Sequence, residues 1–145
     1  MRLHVRLRQD ESGYPPFDAE EVEATEVGDH QYRLDAVPAF AFGLAKGDVV
    51  RVGHDGAATW IEELVETSGH STVLVIALGA NNIDVPRRGL EALGCSTNET
   101  VIDAMISVGV PPAVNFDRIR AYLAAGQATS KWDFNVGVRA DGRGL

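Results

Sequence analysis

The stretch from Gly43 to Leu78 constrains the fold more than any other part of the chain. Its corner Gly47-Asp48 precedes a valine-rich segment, and the turn His54-Asp55-Gly56 leads into a second segment over 59–66. After Ser68-Gly69-His70 the stretch ends in an uninterrupted apolar run over 72–78. Glycine lets the backbone turn sharply, and an aspartate side chain bonds to nearby amides. The order of corner, hairpin and apolar strand predicts a small barrel followed by a second sheet.

The residues before Gly43 favour further strands. Leu3, Val5 and Leu7 alternate with polar residues, which predicts a half-buried strand with His4 on its solvent side. Segments 21–27 and 31–35 flank Gly28-Asp29-His30, a pattern typical of a hairpin, with its glutamates on the open face. The apolar segment 37–44 is expected to cross the core as an irregular segment or as one helical turn.

A proline-containing loop over residues 9–18 carries two aromatic side chains. Pro15 and Pro16 lack the amide donors of a regular ladder, so this stretch is predicted to be a loop. Tyr14 and Phe17 either anchor the loop against the core or line a groove. Anchoring is the preferred interpretation.

The second half of the sequence predicts alternating strands and helices. Strands are predicted over 72–78, 100–108 and 131–138, and helices after Asn81-Asn82 and Asn115, residues that cap helices well. We therefore predict an α+β protein. Its β-rich, barrel-like N-terminal subdomain covers 1–69, its α/β sandwich of ferredoxin-like character covers 70–138, and a frayed tail covers 139–145.

Composition excludes several classes of protein. The 145 residues carry a net charge of −8, which disfavours nonspecific binding to nucleic acid. No apolar run reaches the roughly 20 residues of a membrane span, and the first ten residues lack a secretory apolar core, so a cytoplasmic location is expected. The acidic surface suits solubility, and it also suits a basic protein partner. The single Cys95 is interpreted as a small buried residue.

Residue types used in catalysis are concentrated at the predicted junction between the two halves. Ser68, His70 and Ser71 lie together there, and Glu62, Glu63 or Glu66 would orient the imidazole. The alternative is that both serines bond the turn and that His70 is a structural link. We prefer the structural interpretation.

Other site types find little support in the sequence. The four histidines and Cys95 show no zinc-type spacing, and no glycine-rich phosphate loop is present, so neither a metal nor a cofactor is expected. Trp132 on the last strand is interpreted as core, although an outward-facing Trp132 would suit docking of a partner.

Six groups of residues together resemble a bacterial family of unknown function, domain-of-unknown-function family 4265. They are Gly13-Tyr14-Pro15-Pro16-Phe17, Tyr32-Arg33-Leu34-Asp35, Gly43-Leu44 with Gly47-Asp48-Val49-Val50, Ser68-Gly69-His70-Ser71-Thr72, Leu93-Gly94-Cys95 and Trp132-Asp133-Phe134. The resemblance covers nearly the whole chain and implies a cytosolic protein, but it implies no activity, cofactor or catalytic residue.

The sequence therefore favours a binding protein over an enzyme. The leading hypothesis is an acidic cytosolic factor, toxin-neutralising or regulatory, that binds a protein partner through the Glu20–Glu26 face or the terminal strand. The alternative is a small enzyme or ligand binder that uses the cleft around His70, with Tyr14 and Phe17 as a lid.

Overall fold

The computed structural model describes residues 1–41 and 43–140, which form an α+β protein. Phe42 and residues 141–145 lie outside the described residues. The strands are β1 Arg2–Arg6, β2 Ala19–Gly28, β3 Gln31–Leu34, β4 Val49–Asp55, β5 Ala58–Glu66, β6 Ser71–Ala77, β7 Ser96–Glu99, β8 Met105–Val110 and β9 Trp132–Val138, and the helices are α1 Asp84–Ala92 and α2 Phe116–Ala128.

Strands β1 to β5 form a closed ring. Each pairs antiparallel with the next, and a parallel contact between His4 and Trp60 joins β1 to β5. Leu3, Leu34 and Val50 lie fully buried in its interior. The His4 ring lies on the outer side of β1, as the alternation predicts. Only 28% of its side chain is exposed, because it packs on Trp60 with 5.3 Å between ring centroids.

The corner before β4 is fixed by a buried carboxylate. Gly47 adopts a φ of 84°, which a glycine tolerates without strain. Asp48 accepts hydrogen bonds from the amide of Ala45 at 2.9 Å and from the amide of Ser68 at 2.8 Å. The predicted role of this aspartate is confirmed. It ties the entry of β4 to the connection that leaves β5.

The remaining strands form a sheet in the order β7-β8-β6-β9, with antiparallel neighbours. Both helices pack on one face, where Leu90 of α1 and Ile119 of α2 join Val73 and Val75 of β6 in a single apolar cluster. The connection over 67–70 links the two sheets where the sequence places a boundary. The division into two subdomains stays a prediction.

The predicted strand over 100–108 is wrong in its first half. The chain instead makes strand β7, turns over 100–104 and then enters β8. Thr100 caps the turn. Its hydroxyl accepts from the amide of Ile102 at 3.1 Å and lies 3.1 Å from the carbonyl oxygen of the same residue. Ala104 adopts a φ of 60°, which ends the turn. The pattern missed β7 because its residues, Ser-Thr-Asn-Glu, contain no apolar alternation.

The ring packs on one part of the sheet face that the helices leave open. The amide of Val37 donates to Asn98 at 3.0 Å, and its carbonyl accepts from the hydroxyl of Ser107 at 2.9 Å. Gly109 permits this approach, since a Cβ there would lie 3.0 Å from Val37 and 2.8 Å from the hydroxyl of Ser96. The segment before β4 is therefore the contact between the two sheets.

The end of the described chain is held in place. The amide of Ala140 donates to the hydroxyl of Ser71 at 2.9 Å, and the guanidinium of Arg139 lies over the ring of Phe116. The rest of the predicted frayed tail, 141–145, lies outside the described residues. Neither described helix combines the length and apolarity that crossing a membrane requires.

Candidate functional site

Two cavities flank the segment 36–41, and we name them the acidic cleft and the open-face groove. The acidic cleft, of about 670 Å³, lies between β2 and the turn after β7. The open-face groove, of about 700 Å³, lies between the loop after β1 and the sheet face opposite the helices. Ala39 and Phe40 line both, so this short segment is the wall that separates them.

Four carboxylates line the acidic cleft against one guanidinium, that of Arg2; they belong to Glu20, Glu21, Glu23 and Glu99. Arg2 bonds Glu23 at 2.9 Å and Glu21 at 3.5 Å. The hydrogen bond to Glu23, and then the charge of Glu21, hold the pKa of Arg2 above its usual value. The cleft keeps an excess of negative charge after this pairing.

Glu20 differs from the other three glutamates because its carboxylate is engaged with the backbone. It accepts hydrogen bonds from the consecutive amides of Ala39 at 2.6 Å, Phe40 at 2.9 Å and Ala41 at 3.0 Å. Burial raises the pKa of Glu20, while the three amide donors oppose that rise. The expectation of an open, solvated acidic face starting at Glu20 is therefore wrong at this residue.

A sequence signal for this position exists. Val22 and Ala24 are the buried residues of β2, and Glu20 lies two residues before Val22 in the same strand. In a strand, residues two apart face the same side, so Glu20 belongs to the inward side. Which amides it bonds is set by the fold, because its partners lie 19 to 21 positions further along the chain.

The loop aromatics pack on Phe40 and also line the cavities. Phe17 lies 5.5 Å from Phe40 between ring centroids and faces the acidic cleft. Tyr14 meets Phe40 edge-on at 6.3 Å and lines the open-face groove. The side chain of Tyr14 stays exposed. Tyr14 and Phe17 therefore anchor the loop on Phe40 and, by the same placement, line a cavity each.

The open-face groove is lined by apolar, polar and cationic groups. Leu74 and Thr72 of β6 and Asn135 of β9 form its floor, and Arg8 lies on its wall. A smaller hollow of about 150 Å³ shares Tyr14, Leu74 and Asn135 with it. The groove therefore continues along the sheet beneath the Tyr14 loop.

His70 lines neither the acidic cleft nor the open-face groove. Its Nδ1 lies 3.2 Å from the hydroxyl of Ser68, which donates to the carbonyl of Lys46 at 2.6 Å. Burial, and then the charge of Lys46, lower the pKa of His70, partly offset by Asp48. This geometry suits a neutral imidazole that braces the connection.

The other residues expected near His70 have other partners or lie apart. Ser71 accepts from the amide of Ala140, while Glu62 and Glu63 both bond Arg51, at 2.7 Å and 2.8 Å. Glu66 is exposed at the end of β5. A set of groups poised for nucleophilic chemistry is not assembled among these residues.

Two further candidates lie in the core. Trp132 is 5% exposed and donates its indole N–H to the carbonyl of Leu123 at 3.0 Å. Cys95 is buried, and burial raises the pKa of its thiol to about 11. Such a thiol is almost entirely protonated at neutral pH, which makes it a poor nucleophile. Within 1–41 and 43–140, no three His, Cys, Asp or Glu side chains are grouped to hold a metal ion.

The model of a protein family described as a domain of unknown function, DUF4265, matches residues 20–134. The chain belongs to the DUF4265 family. The matched region runs from the second residue of β2 to the third residue of β9, and it includes the segment 36–41 and most of the sheet face below it.

This DUF4265 chain also has the fold of a solved structure. The crystal structure of a hypothetical protein from Neisseria gonorrhoeae superposes with a TM-score of 0.78 over 95% of each chain, at 16% sequence identity. At that identity the likeness concerns the fold alone. No curated protein sequence matches the chain.

Proposed function

We propose that this DUF4265 protein is a non-catalytic binding protein that holds a basic segment of a protein partner in the acidic cleft. The observation that carries the proposal is the excess of carboxylates in a concave site with aromatic walls. Opposite charges across an interface steer association and fix its register. Phe17 and Phe40 supply ring faces beside those carboxylates, and such faces attract ammonium and guanidinium groups.

An exposed apolar side chain extends the site. Val101, at the edge of the cleft, is the most exposed large hydrophobic residue among those described, with 77% of its surface accessible. An amphipathic segment would place its cations on Glu21 and Glu99 and an apolar side chain on Val101. This combination favours an extended peptide segment over a compact inorganic cation.

The finer points of the proposal come from the sequence. We propose a cytoplasmic regulatory or toxin-neutralising factor, a location that the free thiol of Cys95 fits. We also propose that the ring is a small barrel and that the other sheet has the ferredoxin-like plan. The element order β6-α1-β7-β8-α2-β9 with the strand order β7-β8-β6-β9 supports that plan.

The alternative, an enzyme or ligand site around His70, has weaker support because His70 braces a turn away from both cavities. His70→Ala is the test of that alternative. Loss of stability without loss of any ligand is the result expected from the bracing role.

Binding of a labelled peptide tests the proposal. The probe is a fluorescent peptide of alternating lysine and leucine, compared with one of alternating glutamate and leucine by fluorescence anisotropy at low and high salt. We expect the basic peptide to bind and to weaken with salt, because Coulomb attraction at exposed sites is screened. Glu21→Gln together with Glu99→Gln should weaken it by about fivefold.

Glu66→Gln is the matched control, because it removes the same charge from an exposed glutamate outside the cleft. It should leave the affinity unchanged. Equal weakening by Glu66→Gln, per charge removed, would mean that general charge attracts the peptide and would overturn the cleft as its site. So would equal binding of the acidic peptide.

A further inference from the structure

Part of the sheet face opposite the helices remains uncovered by the ring. The ring covers its Asn98–Ser107 side. Next to the covered part, Leu74, Ile76 and Met105 form an apolar strip that is partly buried and lines the hollow beside Tyr14. Ile76 and Met105 are cross-strand partners, so the strip is continuous across β6 and β8. An apolar strip roofed by an aromatic side chain is suited to an apolar ligand body.

The charge at the other end of the groove is positive. Arg8 lines the groove and makes no ion pair with any residue in 1–41 or 43–140. Arg6 also lines it, but its guanidinium lies 3.6 Å from Asp55 and 4.1 Å from the centre of the Trp60 ring. Arg8 is therefore the cation that can receive an anion.

Two carboxylates border this path, and both are engaged by other groups. Asp10 accepts from the hydroxyl of Ser12 at 2.6 Å and from the amide of Tyr14 at 3.0 Å, and these bonds lower its pKa. Asp133, at the far end, accepts from the side chain of Gln127 at 2.6 Å. Within the described residues, neither carboxylate contacts Arg8. The groove therefore has a cationic end at Arg8 and an apolar end at the strip.

We infer that the open-face groove binds an amphipathic monoanion, with its carboxylate on Arg8 and its apolar chain on Leu74, Ile76 and Met105 under Tyr14. The groove and its hollow, about 700 Å³ and 150 Å³, have the size of sites for small organic ligands. Charge complementarity selects an acid over an alcohol, and the length of the strip selects a chain over a compact ion. This inference is independent of the protein partner proposed for the acidic cleft.

Octanoate and 1-octanol are the matched probes, because they share the chain and differ in the charged head. Amide chemical-shift changes of the labelled full chain are followed in titrations with each. We expect saturable octanoate binding with shifts at Tyr14, Leu74 and Asn135. We expect 1-octanol to bind about fivefold more weakly, and Arg8→Gln to weaken octanoate by about the same factor.

Arg118→Gln is the control, since it removes one exposed cation from α2 outside the groove. It should bind octanoate like the wild type, and Arg8→Gln should leave the weak binding of 1-octanol unchanged. Equal affinities for the two probes, or an Arg8→Gln variant that still binds octanoate at full strength, would overturn the inference. Self-association that protects Leu74 and Ile76 while octanoate fails to bind would assign the strip to a second copy of the chain.

Discussion

Glu20 combines burial with three backbone hydrogen bonds, and this combination sets the position of Phe40 between the two cavities. Carboxylates bonded by successive amides are usually strongly favoured in the ionised form. Burial opposes this here and raises the pKa of Glu20 overall. Glu20 is therefore both a structural anchor for the segment 36–41 and a group whose protonation is linked to folding.

Glu20→Gln is expected to lower the free energy of unfolding by about 1–3 kcal/mol, because the glutamine NH₂ faces backbone amides that need an acceptor. The unfolding free energy lost in Glu20→Gln, relative to the wild type, should be larger at low pH. Since the pKa of Glu20 is raised from its usual value near 4.5, the folded protein binds this proton more tightly than the unfolded chain. The stability that the wild type draws from Glu20 therefore falls as pH rises through the folded-state pKa.

Urea unfolding of both proteins from pH 4 to pH 7 measures this difference, with Glu66→Gln as the exposed control. A wild-type advantage that grows with pH would instead mean that the amide donors outweigh burial and lower the pKa of Glu20.

At the residue scale, the sequence predicted which residues have a structural role better than it predicted which groups those residues bond. The bond of Asp48 to the nearby amide of Ala45 was predictable, because aspartate in a turn bonds local amides, whereas its bond to the amide of Ser68, 20 positions away, was not. One of the two interpretations left open had both serines beside His70 bonding the turn. It holds for Ser68, which accepts from the amide of His70, and is wrong for Ser71, which accepts from the amide of Ala140. The bonds of Glu20 were not predictable, since they join residues 19 to 21 positions apart through a segment without regular structure.

At the scale of elements, two glycines determine how the second helix packs. A Cβ at Gly89 of α1 would lie 2.0 Å from the hydroxyl of Tyr122, and one at Gly126 of α2 would lie 2.0 Å from the ring of Trp132. The indole of Trp132 also donates to the carbonyl of Leu123. Close approach of these rings to helix backbone thus fixes α2 against α1 and β9.

Gly126→Ala should destabilise the protein by about 2 kcal/mol, because the new methyl group overlaps the Trp132 ring. Helix propensity alone predicts the opposite sign, a gain of about 1 kcal/mol. Ala124→Gly, on the exposed side of the same helix, is the control and should lose about 1 kcal/mol through propensity. Urea unfolding distinguishes the two effects, and a stabilised Gly126→Ala would show that the ring yields and that α2 is not fixed by this contact.

The sequence predicted most helices and strands of this chain but missed the polar strand β7. Strands with alternating or continuous apolar residues and the helix capped by Asn115 were predicted close to their observed positions, as β1, β6, α2 and β9 show. The N-cap residue of α1 is Ile83 rather than one of the predicted asparagines, and it makes no side-chain cap bond. Strand β7 has no such pattern, because it is a polar strand at the edge of the sheet, paired with β8, and one of its side chains, that of Asn98, bonds the backbone of Val37. Its existence follows from pairing with a neighbour, which local periodicity does not record.

At the scale of the whole molecule, the backbone of one irregular segment meets side chains of the second sheet. The bond from Val37 to Asn98 spans 61 positions and the bond from Ser107 to Val37 spans 70. The sequence predicted two halves, but it contained no signal for which face of the second would receive the first. Both cavities exist because this segment crosses the sheet face and covers only part of it.

Because Ala39 and Phe40 line both cavities, we expect the two proposed ligands to bind cooperatively. We expect octanoate packed against Phe40 to hold that ring in place for the basic peptide, which lowers the entropic cost of the second binding event. Saturating octanoate should tighten peptide binding by about threefold, and the peptide should tighten octanoate equally. Anisotropy and chemical-shift titrations measure both factors. Phe40→Leu should reduce the coupling towards one while each ligand still binds alone; coupling unchanged in that variant would exclude the wall as its route.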